Sequence, residues 1–290
     1  MTQHDIVQHD IVVIGAGTMG RGIAHIAALH GHQVTLCDRS EELANNGILN
    51  IEKRLSKSIE KGKLDSAQKN ATLARLSPSS SLPEAVRTAH WVIEAIPEIL
   101  DLKATVLKQI EKSAPSDAII GSNTSSLSMT ALAASLDNPQ RFVGTHFFNP
   151  PHIMTLLELV AAEQTSRETL EAAKQFADSL KRDTIVVQDN PGFATSRLGL
   201  VIGLEAIRML EQGVASAADI DHAMELGYRH PMGPLKLTDL VGLDVRLAIA
   251  ENLHKEIGEQ FRPPHLLRKM VRAGKLGKKV GKGFYDWSKS

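Results

Sequence analysis

The sequence has a single cysteine, Cys37, among its 290 residues. That excludes an intramolecular disulfide and a cysteine-rich zinc site, so no metal is expected and a reducing compartment, the cytoplasm, is the simplest location. It has no excess charge of either sign. The 33 Lys and Arg residues balance 33 Asp and Glu, so no global field points to nucleic acid or to a membrane surface. It has no uninterrupted apolar run near the ~18 residues that a membrane-spanning helix needs. The stretch Met1 to Asp5 is polar and carries no signal-peptide core. QHDIV occurs twice, at 3–7 and 8–12, and reads as a frayed leader rather than a repeat architecture. What remains is ordinary globular composition, 42% hydrophobic and 23% charged, at a length that suits about two domains.

The first chemical signal is a glycine loop. Asp10 to Ile14 reads as a buried strand, followed by Gly15-Ala16-Gly17-Thr18-Met19-Gly20 and a run of small and apolar residues from Gly22 to Leu29 that reads as a helix. Glycines in this spacing permit a tight turn, leave room for a pyrophosphate and let helix and strand approach closely. The helix N-terminus then offers free N–H groups to phosphates. A second strand, Gln33 to Cys37, ends at Asp38, near the ~20-residue offset expected for a carboxylate on the adenine ribose. Asp38 would repel a 2′-phosphate, which favours NAD over NADP; Arg39 beside it is either a phosphate partner or a solvated charge.

Glu41 to Lys63 is long, polar and helix-favouring. Arg54, Lys57 and Lys61 share one helical face. That face is either a solvated surface or a landing site for an anionic ligand with several phosphates. Asp65 to Leu76 reads as a second helix, broken by Ser77-Pro78-Ser79-Ser80-Ser81. Trp91 to Ile96 and Asp117 to Gly121 read as further strands, with a helix from Ile99 to about Lys112 between them and a hydroxyl-rich loop, Ser122 to Ser126, after them. Ligands of open parallel sheets bind beyond the strand C-termini. Asp38, Glu98, Ser125 and His146 all follow predicted strand ends, and this groups them as one site.

Thr145-His146-Phe147-Phe148-Asn149-Pro150-Pro151 is followed by Leu156-Leu157-Glu158-Leu159-Val160. Two apolar runs flank a turn forced by adjacent prolines, so the second strand is expected to fold back and set Glu158 opposite His146. A lone histidine in an apolar strand is commonly structural. A carboxylate against its imidazole, however, fixes the ring tautomer, and such a histidine can accept a hydroxyl proton while hydride leaves the same carbon. Beyond Asp189-Asn190-Pro191-Gly192 the chain reads as helices: one through Leu198, Val201, Ile202, Glu205, Ala206 and Met209, one capped by Ser216, a long one from Leu240 to Ile257, and one opened by Pro263-Pro264. Lys275 to Gly283 is basic and glycine-rich and reads as a loop returning over the cofactor.

Nearly the whole chain resembles the L-3-hydroxyacyl-CoA dehydrogenase family. GAGTMGRGIA, EAIPE, SNTSSL, THFFNPP with LLELV, DNPGF, HPMGPLKLTDLVGLD and GKKVGKGFYDW are similar to that family's motifs, in its order. The resemblance implies an α/β fold, a Rossmann-type mostly parallel sheet domain over 1–188 that binds NAD, followed by an all-α domain over 189–290 for substrate binding and dimerisation. It implies His146 and Glu158 as the catalytic histidine and its partner, and Ser125 on the substrate 3-oxygen. Gly15, Gly17, Thr18, Met19, Gly20, Asp38, Glu98, Lys103, Asn149 and Lys279 would contact NAD, and Lys61 the coenzyme A phosphates. Two positions depart from the family: Ser196 stands where an asparagine commonly touches the substrate, and Arg54 stands where some relatives carry a serine that contacts coenzyme A.

The expected activity is NAD-dependent interconversion of (S)-3-hydroxyacyl-CoA, short-chain such as 3-hydroxybutyryl-CoA, and 3-oxoacyl-CoA by a homodimer. Its rivals are a dehydrogenase of a free hydroxy acid of the carnitine or gulonate type and a non-catalytic NAD-binding protein on the same fold.

Overall fold

The computed structural model describes residues 8–288. The first QHDIV copy, at 3–7, lies outside the described residues. The chain divides into two compact units, Met1–Asp189 and Asn190–Ser290.

The first unit runs β1 (Asp10–Ile14), α1 (Thr18–Leu29), β2 (Gln33–Cys37), α2 (Glu41–Glu60), α3 (Ser66–Leu73), β3 (Leu76–Ser79), α4 (Leu82–Ala85), β4 (Trp91–Glu94), α5 (Leu100–Ser113), β5 (Ile119–Ser122), α6 (Met129–Ala133), β6 (Phe142–Phe147), β7 (Leu156–Ala161), α7 (Arg167–Ser179) and β8 (Asp183–Gln188). The strands form one sheet in the order β3-β2-β1-β4-β5-β6-β7-β8. The first six in that order are parallel, β7 is antiparallel to β6, and β8 is parallel to β7. This is the Rossmann-type α/β sheet that the glycine loop predicts. Its central strands, such as the VVI of β1 and WVIE of β4, are buried along nearly their whole length. They read as continuous apolar runs because helices cover both faces of a parallel sheet. Ile11 and Val13 pack with Ile23, Ile26 and Ala27 of α1, and the Trp91 ring stacks on Phe176 of α7 with centroids 4.3 Å apart.

Two boundaries differ from the sequence reading. The helix expected over Asp65 to Leu76 stops at Leu73, after a capping box in which Asp65 and Gln68 exchange hydrogen bonds. The chain then forms β3, with Pro78 inside it. A proline has no N–H for a ladder, and β3 tolerates one because it is the sheet's edge. In addition, α1 already begins at Thr18, so Gly20 belongs to its first turn.

The second unit is helical: α8 (Thr195–Glu211), α9 (Ala217–His222), α10 (Pro234–Val241), α11 (Leu243–Glu256) and α12 (His265–Arg272). Leu200, Leu204, Ile207, Leu235, Leu253 and Leu267 form its core. Ser216 caps α9, its hydroxyl accepting from the Asp219 N–H at 3.2 Å. The long helix expected over Leu240 to Ile257 is two helices. Gly242 divides them with φ 104°, a conformation that side-chain-bearing residues rarely adopt. No helix among the described residues is long and apolar enough to cross a membrane.

Candidate active site

The glycine loop leaves β1 and enters α1. A Cβ on Gly20 would stand 1.8 Å from the Gly15 carbonyl oxygen, so the crossing of loop and helix excludes any side chain there. A Cβ on Gly17, by contrast, would meet nothing within 4 Å. The backbone is therefore bare and open where a pyrophosphate must approach, and the α1 N-terminus follows directly. Asp38, at the end of β2, takes the Ala16 N–H on Oδ2 at 2.7 Å and the Arg39 N–H on Oδ1 at 2.8 Å. It thus ties the end of β2 to the loop itself. These residues fit a dinucleotide. Cys37, next to Asp38, is buried, and burial pushes its thiol up to about 11, which leaves it inert.

The antiparallel pairing of β6 with β7 sets His146 directly opposite Glu158. Both side chains therefore leave the sheet on one face. The imidazole Nδ1 lies 2.6 Å from Glu158 Oε2, with Glu158 fully buried and His146 7% exposed. A carboxylate accepts only, so in the neutral ring Nδ1 carries the hydrogen. The Phe148 ring lies 4.5 Å from the His146 ring. Asn149, exposed, follows at the mouth of the proline turn, with a cis peptide to Pro150.

Ser125 lies in the loop after β5. One carboxylate oxygen organises that loop: Glu98 Oε1 takes the Thr124 hydroxyl, the Ser125 N–H at 3.0 Å, and the Ser126 N–H and hydroxyl, each at 3.2 Å. Asn123, at the start of the same loop, accepts the Phe147 N–H on Oδ1 at 3.0 Å. The serine loop is thus tied to the strand that carries His146. Sequence reasoning missed Asn123; its signal was an amide at a strand end, inside SNTSS.

Lys103, expected at the cofactor, is fully enclosed beneath the loop. Its ammonium lies 2.6 Å from Glu94 Oε1 and donates to the Ile96 and Asn123 carbonyls at 3.2 and 3.4 Å. Glu94 in turn takes the Ile96 N–H at 2.7 Å and the Ser122 hydroxyl at 2.6 Å. This buried network, which sequence reasoning also missed, fixes the ends of β4 and β5. On α2, Arg54 is partly buried, whereas Lys57 and Lys61 are exposed.

In the second unit, Ser196 sits partly exposed in the first turn of α8. Lys279 is exposed, with its ammonium 2.5 Å from Asp244 Oδ1. Partial burial works against the charged form of Asp244, yet Lys279 holds the carboxyl below its usual range. The C-terminal segment folds back onto this unit because buried Asp239 takes the N–H groups of Phe284 and Tyr285 at 2.9 Å and the Trp287 indole at 2.8 Å. No group of three or more metal-binding side chains occurs among the described residues.

Residues 10–190 match the family described as 3-hydroxyacyl-CoA dehydrogenase, NAD binding domain, and residues 192–287 match the C-terminal domain of 3-hydroxyacyl-CoA dehydrogenase. The chain is 43% identical over 278 residues to a probable 3-hydroxybutyryl-CoA dehydrogenase of Bacillus subtilis, covering 96% of each. It is 40% identical to the 3-hydroxyadipyl-CoA dehydrogenase of Escherichia coli, covering 96% of this chain and 58% of that one. Among solved structures, the (S)-3-hydroxybutyryl-CoA dehydrogenase of Ralstonia eutropha superposes with a TM-score of 0.93 at 41% identity, covering 97% of this chain and 99% of that one.

Proposed function

From the premise that the chain belongs to the 3-hydroxyacyl-CoA dehydrogenase family and uses NAD, we propose that it interconverts short-chain (S)-3-hydroxyacyl-CoA and 3-oxoacyl-CoA, with His146 as the general base. The observation that carries this reading is the enclosed His146–Glu158 pair, 2.6 Å apart, on the strand tied to the Ser125 loop. In the oxidative direction His146 Nε2 takes the proton of the 3-hydroxyl. Glu158 holds the ring in the tautomer whose lone pair is on Nε2 and supports the imidazolium that forms. Ser125 donates to the 3-oxygen and holds it within reach of His146; Ser196, in the second unit, is assigned to substrate binding. When bound, NAD accepts the hydride that leaves C3. In reverse, His146 returns its proton to the 3-oxo oxygen.

Gly15, Gly17, Thr18, Met19, Gly20, Asp38, Glu98, Asn149 and Lys279 are the residues assigned to NAD, and Lys103, enclosed against Glu94, is assigned to holding the strand ends beneath the cofactor loop; Arg54 and Lys61 are assigned to coenzyme A. The short chain length rests on the relatives named 3-hydroxybutyryl-CoA dehydrogenases. The relative named for 3-hydroxyadipyl-CoA makes a dicarboxylic acyl chain the substrate to compare. We assign the enzyme to the cytoplasm, in keeping with the single buried thiol, and the second unit to substrate binding and a homodimer.

The test is the oxidation of NADH by acetoacetyl-CoA. Wild type is expected to turn over, and His146→Ala to lose about 10²–10⁴ in kcat, the range of general acid–base catalysis. Full activity in His146→Ala would remove the histidine from the mechanism. Turnover of a free 3-hydroxy acid but not of the thioester would move the assignment to the carnitine or gulonate type.

A further inference from the structure

The buried stripe of α11 is Leu243, Arg246, Ala250 and Leu253, spaced as the core-facing side of a helix. All but one are apolar. Arg246 is 7% exposed, on a stripe where packing alone selects an aliphatic side chain. A guanidinium so enclosed is ordinarily paired. Arg141, 8% exposed, shows how this chain satisfies one elsewhere: its terminal nitrogens donate to the carbonyls of Glu111, Pro115 and Ala118. Arg246 has no such set. Among the described residues its guanidinium makes no hydrogen bond and no ion pair, and its Nε is sealed from solvent without a partner.

The carboxylates that neighbour Arg246 in sequence are committed. Asp244 holds Lys279, Glu251 holds Arg268, and Asp239 takes Phe284, Tyr285 and Trp287. Burial alone acts on the ionisation of Arg246 and pulls it down to about 10, so the group keeps its charge near neutral pH. The head of the side chain lies over α8 at Gly199, where a Cβ would stand 3.6 Å from Nη1 and 3.9 Å from Nη2. Ser196 is three residues before Gly199, on the same face of that helix. A charged fork without a counter-ion thus stands about one turn beyond a side chain assigned to the substrate.

We infer that Arg246 is a carboxylate subsite for the far end of the acyl chain, so that dicarboxylic (S)-3-hydroxyacyl thioesters belong to the substrate class. This rests on the thioester dehydrogenase function proposed above. A planar guanidinium binds a carboxylate through two parallel N–H···O bonds, and Nη1 and Nη2 are the nitrogens able to offer them. The fitting chain length follows from the helix. At about 1.5 Å of rise per residue, Ser196 and Gly199 are separated by about 4.5 Å along α8. An extended chain covers that with about three to four carbon–carbon bonds of ~1.5 Å. In a six-carbon dicarboxylic chain, three such bonds separate C3 from the terminal carboxyl carbon. A methyl at that end leaves the guanidinium unpaired.

The test measures kcat/KM with NAD for (S)-3-hydroxyadipyl-CoA and (S)-3-hydroxyhexanoyl-CoA, which differ only in a terminal carboxylate against a methyl. Wild type is compared with Arg246→Met and Gly199→Asp. Wild type is expected to favour the dicarboxylic chain. The ratio of the two values is expected to fall about 10–100-fold in Arg246→Met, the range for a hydrogen bond to a charged group. That ratio divides out any general loss of folded enzyme. Gly199→Asp seats a carboxylate beside the guanidinium without removing it. Its melting temperature is expected to rise while the ratio falls as in Arg246→Met. A rise in melting temperature with the ratio unmoved makes Arg246 a structural residue and overturns the subsite. Turnover of both thioesters at one ratio in all three proteins overturns it too and leaves the dehydrogenase function standing. Should wild type turn over neither thioester, that function fails instead, and melting in free adipate decides the subsite: a rise in wild type that Arg246→Met lacks supports it, and equal shifts overturn it.

Discussion

His146 and Glu158 are twelve residues apart in sequence, yet act as one group because β6 and β7 pair them in register. Glu158→Gln keeps the shape of that contact and removes its charge. An amide can also accept or donate toward Nδ1, so it no longer dictates which imidazole nitrogen carries the hydrogen. We expect kcat to fall by about 10²–10⁴ with little change in KM, read in the same acetoacetyl-CoA assay. Equal losses in binding and turnover would instead mark Glu158 as a packing residue. A second histidine matters to stability. His32 is fully buried, accepts the His9 N–H on Nδ1 at 3.2 Å and meets the Ser179 hydroxyl with Nε2 at 2.9 Å. Burial, then His9, His30 and Arg75, hold it down at about 4. Its folded pKa lies below its unfolded value near 6.5, so the unfolded chain takes up the proton first. His25 behaves alike. Stability is therefore expected to fall as pH drops from about 6.5 to about 4 and to level off below, and His32→Gln is expected to flatten that slope in thermal melts across the window.

At the level of elements, what the sequence discloses depends on whether a pattern is local. The β6–β7 pair is legible because two apolar runs flank a double proline, and a period of two carries His146 and Glu158 to one face. The glycine loop is legible because strand, glycines and helix are consecutive. β3 is not, because Pro78 signals a break and only the sheet order reveals that an edge accepts it. The division at Gly242 is hidden because apolar periodicity runs on across it from α10 to α11. The Glu94–Lys103 pair is hidden for another reason: its partners are nine residues apart on a strand and the following helix, and the sequence motif containing Glu94 says nothing of what its carboxylate meets. That pair yields a prediction which separates two roles of Lys103. Lys103→Met leaves Glu94 charged and enclosed, and breaking one side of a buried ion pair costs about 3–5 kcal/mol. The melting temperature should drop accordingly. A variant with wild-type stability and weakened NADH affinity would place the ammonium on the cofactor instead.

At the scale of the whole molecule, the helical unit leaves an apolar surface exposed. Leu237, Leu240 and Val241 of α10 follow i, i+3, i+4 spacing, and Val245 of α11 is four residues further on; each is about 40% exposed. Contiguous exposed apolar residues on a helix mark contact surfaces more often than solvent-facing ones. Polar positions around them do not supply the explanation, since the unit's own core is complete without these side chains, built on Leu200, Leu204, Ile207, Leu235, Leu253 and Leu267. A second copy of this chain is the occupant we assign to that stripe. A two-fold contact would meet the same stripe from the partner, so one substitution acts twice. Sedimentation equilibrium is expected to return twice the 31.5 kDa chain mass for wild type. Leu240→Glu combined with Val241→Glu is expected to return the chain mass itself, because two carboxylates from each side would be desolvated against each other. Far-ultraviolet circular dichroism should stay unchanged, as both positions lie outside the core. A wild-type protein that sediments as a monomer would remove the dimer, and a double variant that still sediments as a dimer would move the interface off α10.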